Sequence, residues 1–421
     1  MSARLKLISG PVLFALCLLI GDADNVQVRM IAAMLWMLAW WVTNAIPIGA
    51  TALLPILLFP LLGILSLRET TINYGNPVIF LFLGGFILGL AIEKWHLHRR
   101  IALNIMNVSG ESPNRVILGS MLATALLSMW ISNTATTIMM LPIGMSVVGL
   151  LGERIRDQKA ARNFGITLML GIAYAANIGG ITTLIGTPPN LVMASILADQ
   201  GILNVAFSNW LLFALPLVVV LFALVYLVNT RLVFPIKEGP LSGAGELIKG
   251  ELREMGRMTT AENRVGLVML VTALLWIIRG QLNKITGLEN LSDPAIAIAA
   301  ALLLFALPAG KKQKRLLEWN DTRRLPWGIL LLFGGGISLA GGMEATNIVG
   351  LVGNWISSSP LEHPLLIILL VGAFSVFLTE IMSNVALVSV FVPVSFVIAR
   401  NLGLLETALA IPLTISASCA F

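Results

Sequence analysis

The sequence predicts an all-helical protein that crosses a membrane many times. Hydrophobic residues make up 57% of the 421-residue chain and charged residues only 11%, with a mean hydropathy of +0.91. Soluble domains carry roughly 25% charged residues, so this composition excludes a soluble globular domain. The second observation is a polar motif that occurs twice in apolar surroundings, as SNTATTIMMLP at 132–142 and SNVALVSVFVP at 383–393. The third is the placement of lysine and arginine, which restricts how the chain can be threaded through a bilayer.

The single apolar segments are interpreted as membrane spans. In the first half, the spans are predicted at 5–21, 28–44, 50–65, 77–93 and 210–229, with a broken helix over 162–199. In the second half, they are predicted at 264–280, 295–308 and 327–343. Several are shorter than the ~20 residues that a straight helix needs, so we expect their ends to extend into the flanking polar sequence.

Two apolar stretches, 116–151 and 364–399, are longer than the others and carry the polar motif near the middle. If the N-terminus is cytoplasmic and 116–151 enters and leaves on the same side, 22 of the 27 lysines and arginines are cytoplasmic. A single crossing would place the basic run 154–162 outside, against the positive-inside rule. Charge alone does not separate a re-entrant hairpin from two full spans. The polar tip at membrane depth, which needs protein or water around it, favours a re-entrant hairpin.

One offset of 251 residues relates the two motifs and also aligns LFLGGFILGLAIE at 81–93 with LFGGGISLAGGME at 332–344. We therefore predict an internal duplication, with a first repeat over 1–230, a cytoplasmic linker over 231–263 and a second repeat over 264–421. An odd number of spans between the copies would invert the second repeat, and inverted repeats of this kind are typical of secondary transporters. We expect the charges of the linker to form a solvated face.

The first copy of the motif gathers side chains that suit a small cation. Ser128 lies one helical turn before Ser132, and Asn133 and Thr134 follow directly. Hydroxyl and amide oxygens are ligands for hard cations such as sodium, whereas a helix that begins after the tip favours an anion at its N-terminus. The structural alternative is that these side chains bond back to the preceding turn or pack two helices together. Repetition of the motif makes that alternative weaker.

A second feature is NIGGITTLIGTPPN at 177–190, where three glycines and two prolines interrupt an apolar segment. Unwound carbonyls there can complete a sodium shell, and the helix that follows can direct its N-terminus at an anion. The alternative is a structural kink. In the second copy, Thr379 precedes Ser383 as Ser128 precedes Ser132. Glu380 has no charged counterpart in the first copy, where Met129 stands, and it suits local capping or, as a weaker alternative, proton coupling.

Signatures of other protein classes are absent from the sequence. It contains no HExxH motif, no phosphate-binding loop followed by Lys-Ser or Lys-Thr, and no cysteine ligand pair. His96 and His98 lie in the basic run KWHLHRR at a predicted membrane edge, and Cys17 and Cys419 are far apart. We expect neither an enzyme nor a nucleic-acid-binding protein. Without a nucleotide site, any pumping must be driven by an ion gradient.

These residues resemble the divalent anion:sodium symporter family, whose members carry dicarboxylates, citrate or sulfate. The resemblance covers nearly the whole chain and rests on SNTAT at 132–136, TLIGTPPN at 183–190, TEIMSN at 379–384 and the duplicated hairpins. It implies a homodimer in the lipid bilayer of a bacterial plasma membrane, with a scaffold domain and a transport domain that moves as an elevator.

The resemblance also implies the ligands. One sodium ion would be bound by Ser128, Ser132, Asn133 and the backbone of Gly186. A second would be bound by Thr379, the backbone of Met382, and Asn384. The anion would contact residues of both halves, namely Asn133, Thr134, Thr187, Pro188, Asn384 and Val385.

Two features depart from the family pattern. Val385 stands where the pattern usually has a threonine, so a hydroxyl is lost and the anion can differ. The sequence also stops at Phe421, in a segment that resembles the approach to a second Thr-Pro-Pro loop, so we expect it to be a partial chain. The function predicted is sodium-coupled symport of C4-dicarboxylates or citrate. The alternatives are a sulfate symporter, a proton-coupled carrier or exchanger that uses Glu380, and an anion channel.

Overall fold

The computed structural model describes residues 2–110, 112–152, 155, 157–236, 244–310, 315–348, 350 and 363–419. These residues are mostly helical, and none of them forms a β-strand. Among the described residues, eight helical segments are long and apolar enough to cross a membrane, and two of them include a 3-10 or π turn in addition to α-helix. These segments are Ala3–Ile20, Val26–Thr43, Leu67–Lys94, Gln158–Ile181, Phe207–Val233, Thr260–Leu282, Trp327–Ala345 and Asn384–Asn401. The protein is therefore an all-helical, multi-span membrane protein, as its composition predicts.

The described residues form nineteen α-helices. The first nine are α1 (Ala3–Ile20), α2 (Val26–Thr43), α3 (Ile48–Thr51), α4 (Leu54–Leu61), α5 (Leu67–Ile72), α6 (Pro77–Lys94), α7 (Leu97–Ser109), α8 (Pro113–Ser128) and α9 (Asn133–Gly152). The next six are α10 (Gln158–Ile181), α11 (Pro188–Asp199), α12 (Phe207–Leu227), α13 (Ala244–Glu254), α14 (Thr260–Leu282) and α15 (Asp293–Ala306). The last four are α16 (Trp327–Ala345), α17 (Pro364–Thr379), α18 (Asn384–Asn401) and α19 (Thr407–Ala417).

Prolines interrupt the helix that is predicted to span 50–65. There the polypeptide forms the single turn of α3 and the short α4 instead of one continuous helix. Pro55 occupies the first turn of α4 and Pro60 lies inside it. Because proline has no N–H to donate, two prolines at this spacing keep the helix short.

The helices group into two compact units, each built from separate stretches of sequence. One unit comprises residues 1–80, 188–205 and 326–420, and the other comprises 81–187 and 206–325. The border between them falls inside the TLIGTPPN motif, between Thr187 and Pro188. The first polar hairpin therefore lies in the unit that contains 81–187, and the second polar hairpin lies in the unit that contains 326–420.

In the unit that carries the first hairpin, α8 and α10 pack very closely. A Cβ built on Gly179 would lie 2.3 Å from the Ala125 carbonyl oxygen, and one built on Gly171 would lie 3.0 Å from Met121. Only glycine permits this approach of the two backbones, which is a common way to pack helices within a membrane. Fully buried side chains such as Ile117, Phe164 and Leu168 complete this core.

In the other unit, α18 packs against α16 and α19 packs against α17. A Cβ on Gly336 would lie 2.3 Å from the Ser389 hydroxyl, so α16 and α18 are in direct contact. The buried Ser375 hydroxyl of α17 donates to the Leu413 carbonyl of α19 at 2.8 Å. The second hairpin is thus held on both sides by apolar helices.

The segment predicted as a linker, 231–263, contains α13. Its charges are not all solvated, so the expectation of a solvated face is wrong in part. Glu262 is 4% exposed and accepts a hydrogen bond from the Arg100 guanidinium at 2.8 Å. Arg100 also donates to the carbonyls of Gly256 and Met255. Ile248 of α13 is buried against α7. Periodicity alone could not reveal this because the partner of Glu262 lies 162 residues away in the sequence.

Candidate functional site

Both polar motifs break a helix at the same place. Helix α8 ends at Ser128 and α9 begins at Asn133, while α17 ends at Thr379 and α18 begins at Asn384. The 251-residue offset of the sequence therefore also relates the helix boundaries. The backbone of the two tips agrees as well, since Ile131 donates to Leu127 at 3.1 Å and Met382 donates to Leu378 at 3.1 Å.

A hydroxyl and an amide are hydrogen-bonded across each break. The Ser128 hydroxyl donates to Asn133 Oδ1 at 2.9 Å, and the Thr379 hydroxyl donates to Asn384 Oδ1 at 2.6 Å. Ser128 is fully buried and Thr379 is 6% exposed. Each unit therefore contains its own pair of neutral oxygen atoms at the point where the helix is broken, one on a buried hydroxyl residue and one on a half-buried asparagine.

The serine of each motif caps the helix that follows. The Ser132 hydroxyl oxygen accepts from the Ala135 N–H at 3.4 Å, and the Ser383 hydroxyl oxygen accepts from the Ala386 N–H at 3.2 Å. This satisfies one of the N–H groups that have no partner within the helix. The Ser132 oxygen is thus already engaged with the backbone of the helix that follows it.

The broken segment after α10 orients the first tip. Asn133 Nδ2 donates to Asn177 Oδ1 at 3.1 Å, which directs Asn133 Oδ1 toward Ser128. A Cβ built on Gly180 would lie 2.2 Å from Asn133 Oδ1, so a larger residue at this position would displace that oxygen. Sequence reasoning did not assign Asn177 to the site. The available signal was an amide in an apolar helix, four residues before Ile181, where that helix ends.

Carbonyl oxygens converge beside the same tip. A Cβ built on Gly186 would lie 2.5 Å from the Gly180 carbonyl oxygen and 2.9 Å from that of Ser128. The Gly186 N–H donates to the Thr183 hydroxyl oxygen at 3.0 Å, and that hydroxyl donates to the Met129 carbonyl at 2.5 Å. The structure thus brings Ser128, Asn133 and Gly186 together, three of the four residues of the first predicted sodium site.

The predicted anion contacts differ in exposure. Thr134 is exposed at the start of α9, whereas Val385, at the same position of the second motif, is 7% exposed. Thr187 is 2% exposed and Pro188 is half-buried. Pro188 and Pro189 occupy the first two positions of α11, so the N–H donors there begin at the third residue. The first turn of α9 contains no acidic residue, so no carboxylate side chain there opposes the binding of an anion.

The second tip has a further oxygen within reach. The Thr379 hydroxyl lies 3.1 Å from the Ala417 carbonyl, near the end of α19, in addition to its bond to Asn384. Met382, the third residue of the predicted second sodium site, is 7% exposed. Glu380 is exposed at the end of α17. Among the described residues, no group of three or more histidine, cysteine, aspartate or glutamate side chains could hold a metal ion.

Comparison with known proteins identifies the family of the chain. The citrate transporter family model matches residues 38–417. The chain is 39% identical to the sodium-dependent dicarboxylate transporter SdcS of Staphylococcus saprophyticus, over 99% of this chain and 82% of that protein. Proteins of the same name from Staphylococcus aureus strains USA300 and MW2 are each 38% identical over the same shares. The chain therefore belongs to the citrate transporter family, among the divalent anion:sodium symporters, and is a membrane transporter and not an enzyme.

Proposed function

We propose that the protein is a sodium-coupled symporter of small divalent anions, with C4-dicarboxylates or citrate as substrates. The observation that carries the proposal is the hydrogen-bonded hydroxyl–amide pair at a broken helix, present once in each unit. A helix broken within an apolar bundle is the usual device for binding ions in secondary transporters. The names of the relatives, which are sodium-dependent dicarboxylate transporters, support the same function.

The first sodium site is proposed at Ser128, Ser132, Asn133 and Gly186. Three kinds of oxygen are available there, namely the Ser128 hydroxyl, the Asn133 amide oxygen, and the carbonyls of Ser128 and Gly180. Hard cations prefer such oxygen ligands. Because these oxygen ligands are neutral, the bound sodium ion would be the charged group at the site. When sodium is released, the ligands would not leave an unpaired charge behind.

The second sodium site is proposed at Thr379, Asn384 and the backbone of Met382. The Thr379 hydroxyl and the Asn384 amide repeat the chemistry of the first site, and the Ala417 carbonyl lies 3.1 Å from that hydroxyl. The buried Thr379 hydroxyl and the half-buried Asn384 amide at a second broken helix support a second cation of the same kind.

For the anion, we propose contacts from both motifs and from the broken loop. These contacts are Asn133, Thr134, Thr187, Pro188, Asn384 and Val385. Helix N-termini that begin directly at Asn133 and Asn384 carry partial positive charge, which favours a carboxylate. Sodium bound first would add positive charge next to each N-terminus and so favour the dianion further.

The coupling is energetically reasonable. Each elementary charge that moves down a 100 mV membrane potential supplies about 2.3 kcal/mol. Uptake is therefore favoured when more sodium charges enter than the anion carries. We further propose a bacterial plasma membrane location, a cytoplasmic N-terminus, inverted repeats, a homodimer and an elevator mechanism. The lysine and arginine distribution supports the orientation, the 251-residue offset supports the inverted repeats, and the family resemblance supports the other three.

The test is uptake into proteoliposomes that contain the purified full chain. Radiolabelled succinate should accumulate with an inward sodium gradient and not with potassium in its place. Competition by unlabelled succinate, citrate, tartrate and sulfate then ranks the anions. Sodium-independent accumulation that is lost in Glu380→Gln would favour a proton-coupled carrier instead.

A further inference from the structure

An aromatic stack lies directly beside the first tip. Trp130, three residues before Asn133, is parallel to Trp276 of α14, with an interplanar angle of 7° and ring centroids 6.3 Å apart. Phe207 of α12 stacks on both rings, at 4.9 Å from Trp276 and 6.2 Å from Trp130. Phe207 is fully buried, as is Trp276. The tip is therefore joined through its tryptophan to two helices outside the hairpin.

One buried aspartate bonds to both aromatic partners, to Phe207 through its carboxylate and to Trp276 through its backbone carbonyl. Asp293, at the start of α15 and 6% exposed, accepts from the Phe207 N–H with Oδ2 at 3.0 Å. Its backbone carbonyl accepts from the Trp276 indole N–H at 3.0 Å. The Arg279 guanidinium lies 2.6 Å from its other carboxylate oxygen, Oδ1. Asp293 thus sets the positions of both rings that hold Trp130.

Asp293 supplies a cap that α12 lacks. The residue before α12 is Ala206, which makes no side-chain capping bond. A carboxylate at a helix N-terminus both accepts an unsatisfied N–H and opposes the positive end of the helix dipole. The same first turn of α12 reaches the broken segment, because the Trp210 indole N–H donates to the Ile181 carbonyl at 3.0 Å. This turn of α12 therefore contacts both the tip and the break.

We propose that Trp276 and Asp293 are positioning residues for the sodium site at the first tip. They act through Trp130 and through the first turn of α12, and they touch neither the ion nor the anion. The arrangement is specific to the first motif. The position that matches Trp130 in the second motif is Ile381, which is 63% exposed. The inference rests on the proposed sodium-coupled function and names residues that control how well the first site binds sodium.

Trp276 and Asp293 matter because a sodium site tolerates only small displacements of its ligand oxygens. Ligand oxygens must be held within about half an ångström of their places for a site to retain its affinity. Ser128 and Asn133 flank a tip of four residues, and Trp130 is its largest side chain. Without the stack, the tip keeps its hydrogen bonds to Thr183 and Asn177 but is less ordered. Part of the free energy of sodium binding is then used to order the tip, so the affinity for sodium falls.

The experiment measures succinate uptake by the full chain in proteoliposomes as a function of sodium concentration. Trp276→Leu should raise the half-saturating sodium concentration about three- to tenfold, the factor that aromatic pair energies of this type correspond to. Trp276→Phe keeps a ring and should show a smaller shift. Asp293→Asn keeps an acceptor for the Phe207 N–H but loses the charge, and should also raise it. The control is Trp319→Leu, because Trp319 is 72% exposed in the same unit.

Amide hydrogen exchange of residues 126–136 in detergent supplies a readout independent of transport. Exchange there should be faster in Trp276→Leu than in the wild type, with α10 unchanged. If Trp276→Leu does not fold, the milder Trp276→Phe and Asp293→Asn variants carry the test. Wild-type sodium dependence together with wild-type exchange of the tip in these variants would overturn the inference. A wild-type protein that shows no sodium-driven uptake would instead refute the proposed function, while tip exchange would still judge the positioning.

Discussion

At the scale of single residues, the amide of Asn133 is the most informative group in the first motif. It accepts a hydrogen bond from Ser128 and donates one to Asn177, so its oxygen and its nitrogen face different partners. A cation would be coordinated by the Asn133 amide oxygen, whereas the Asn133 amide nitrogen donates to the Asn177 amide oxygen. Substitutions that separate these two roles can therefore distinguish an ion ligand from a structural hydrogen bond.

We expect Asn133→Ala to abolish sodium-dependent uptake, because it removes the ligand oxygen and leaves the Ser128 hydroxyl and the Asn177 oxygen without this partner. Asn133→Asp keeps the oxygen but adds a negative charge at the start of α9. Sodium should still bind, whereas the dianion should bind much more weakly. Separate titrations of sodium and succinate in the uptake assay measure the two effects. Full uptake in Asn133→Ala would remove this residue from the site.

In the second motif, the hydroxyl of Thr379 can be tested by two substitutions of similar size. Thr379→Ser keeps the donor to Asn384, whereas Thr379→Val keeps the shape and loses the oxygen. A buried hydrogen bond of this kind contributes about 0.5–1.5 kcal/mol. Thr379→Val should therefore raise the half-saturating sodium concentration severalfold, and Thr379→Ser should stay near the wild type. Equal behaviour of the two variants would argue against a ligand role.

Sequence spacing is informative about residues close together in the chain and uninformative about distant partners. The clustering of Ser128 and Asn133 at one tip follows from their spacing around the break, and their role as ligands stays a prediction. Asn177 was missed because its partner lies 44 residues earlier in the chain. The aromatic partners of Trp130 were missed for the same reason, since Phe207 and Trp276 belong to later helices.

At the scale of helices, the glycines of the broken segment determine how closely it approaches the tip. The Cβ of an alanine at position 180 would overlap the Asn133 amide oxygen, because a Cβ built there lies only 2.2 Å from that oxygen. We expect Gly180→Ala to displace that oxygen and to lower sodium-dependent uptake at least tenfold at low sodium. Gly149→Ala, in α9 of the same hairpin, is the matched control, because a Cβ there meets nothing within 4 Å. Uptake that is unaffected by Gly180→Ala would contradict the close packing of segment and tip.

The attachment of the linker to α7 gives a prediction about stability. Arg100 and Glu262 form a buried ion pair at 2.8 Å, whereas the neighbouring Arg99 pairs with the partly exposed Glu251. Removing one member of a buried pair costs about 3–5 kcal/mol, and an exposed pair contributes about 0–1 kcal/mol. Arg100→Leu should therefore lower the melting temperature in detergent clearly more than Arg99→Leu. Similar melting temperatures for the two variants would show that the buried pair is not an important anchor.

Helix positions were predictable because apolar segments report them directly, and the break at 132 and 383 was predictable from its polar residues. The division of 50–65 into two short helices depends on Pro55 and Pro60, whose effect a hydropathy profile does not show. Helix α13 was missed because its sequence, AGELIKGELRE, is polar and buries mainly Ile248.

At the scale of the whole molecule, the two compact units do not coincide with the two repeats in the sequence. Each unit takes stretches from both halves of the chain, and the border of the units falls within the Thr-Pro-Pro motif. Hydropathy cannot predict that each unit combines helices from both halves of the chain, because it indicates where helices are and not which helices pack together. The assignment of one polar tip to each unit is the consequence for function.

The central claim is that this chain moves a dicarboxylate by binding sodium on neutral oxygens at two broken helices. The most direct measurement is sodium-driven succinate uptake in proteoliposomes by the wild type, Asn133→Ala and Asn384→Ala. We predict saturable uptake that requires a sodium gradient in the wild type and is lost in both variants, with normal protein incorporation. Equal uptake with and without sodium, or wild-type uptake in either variant, would contradict the account.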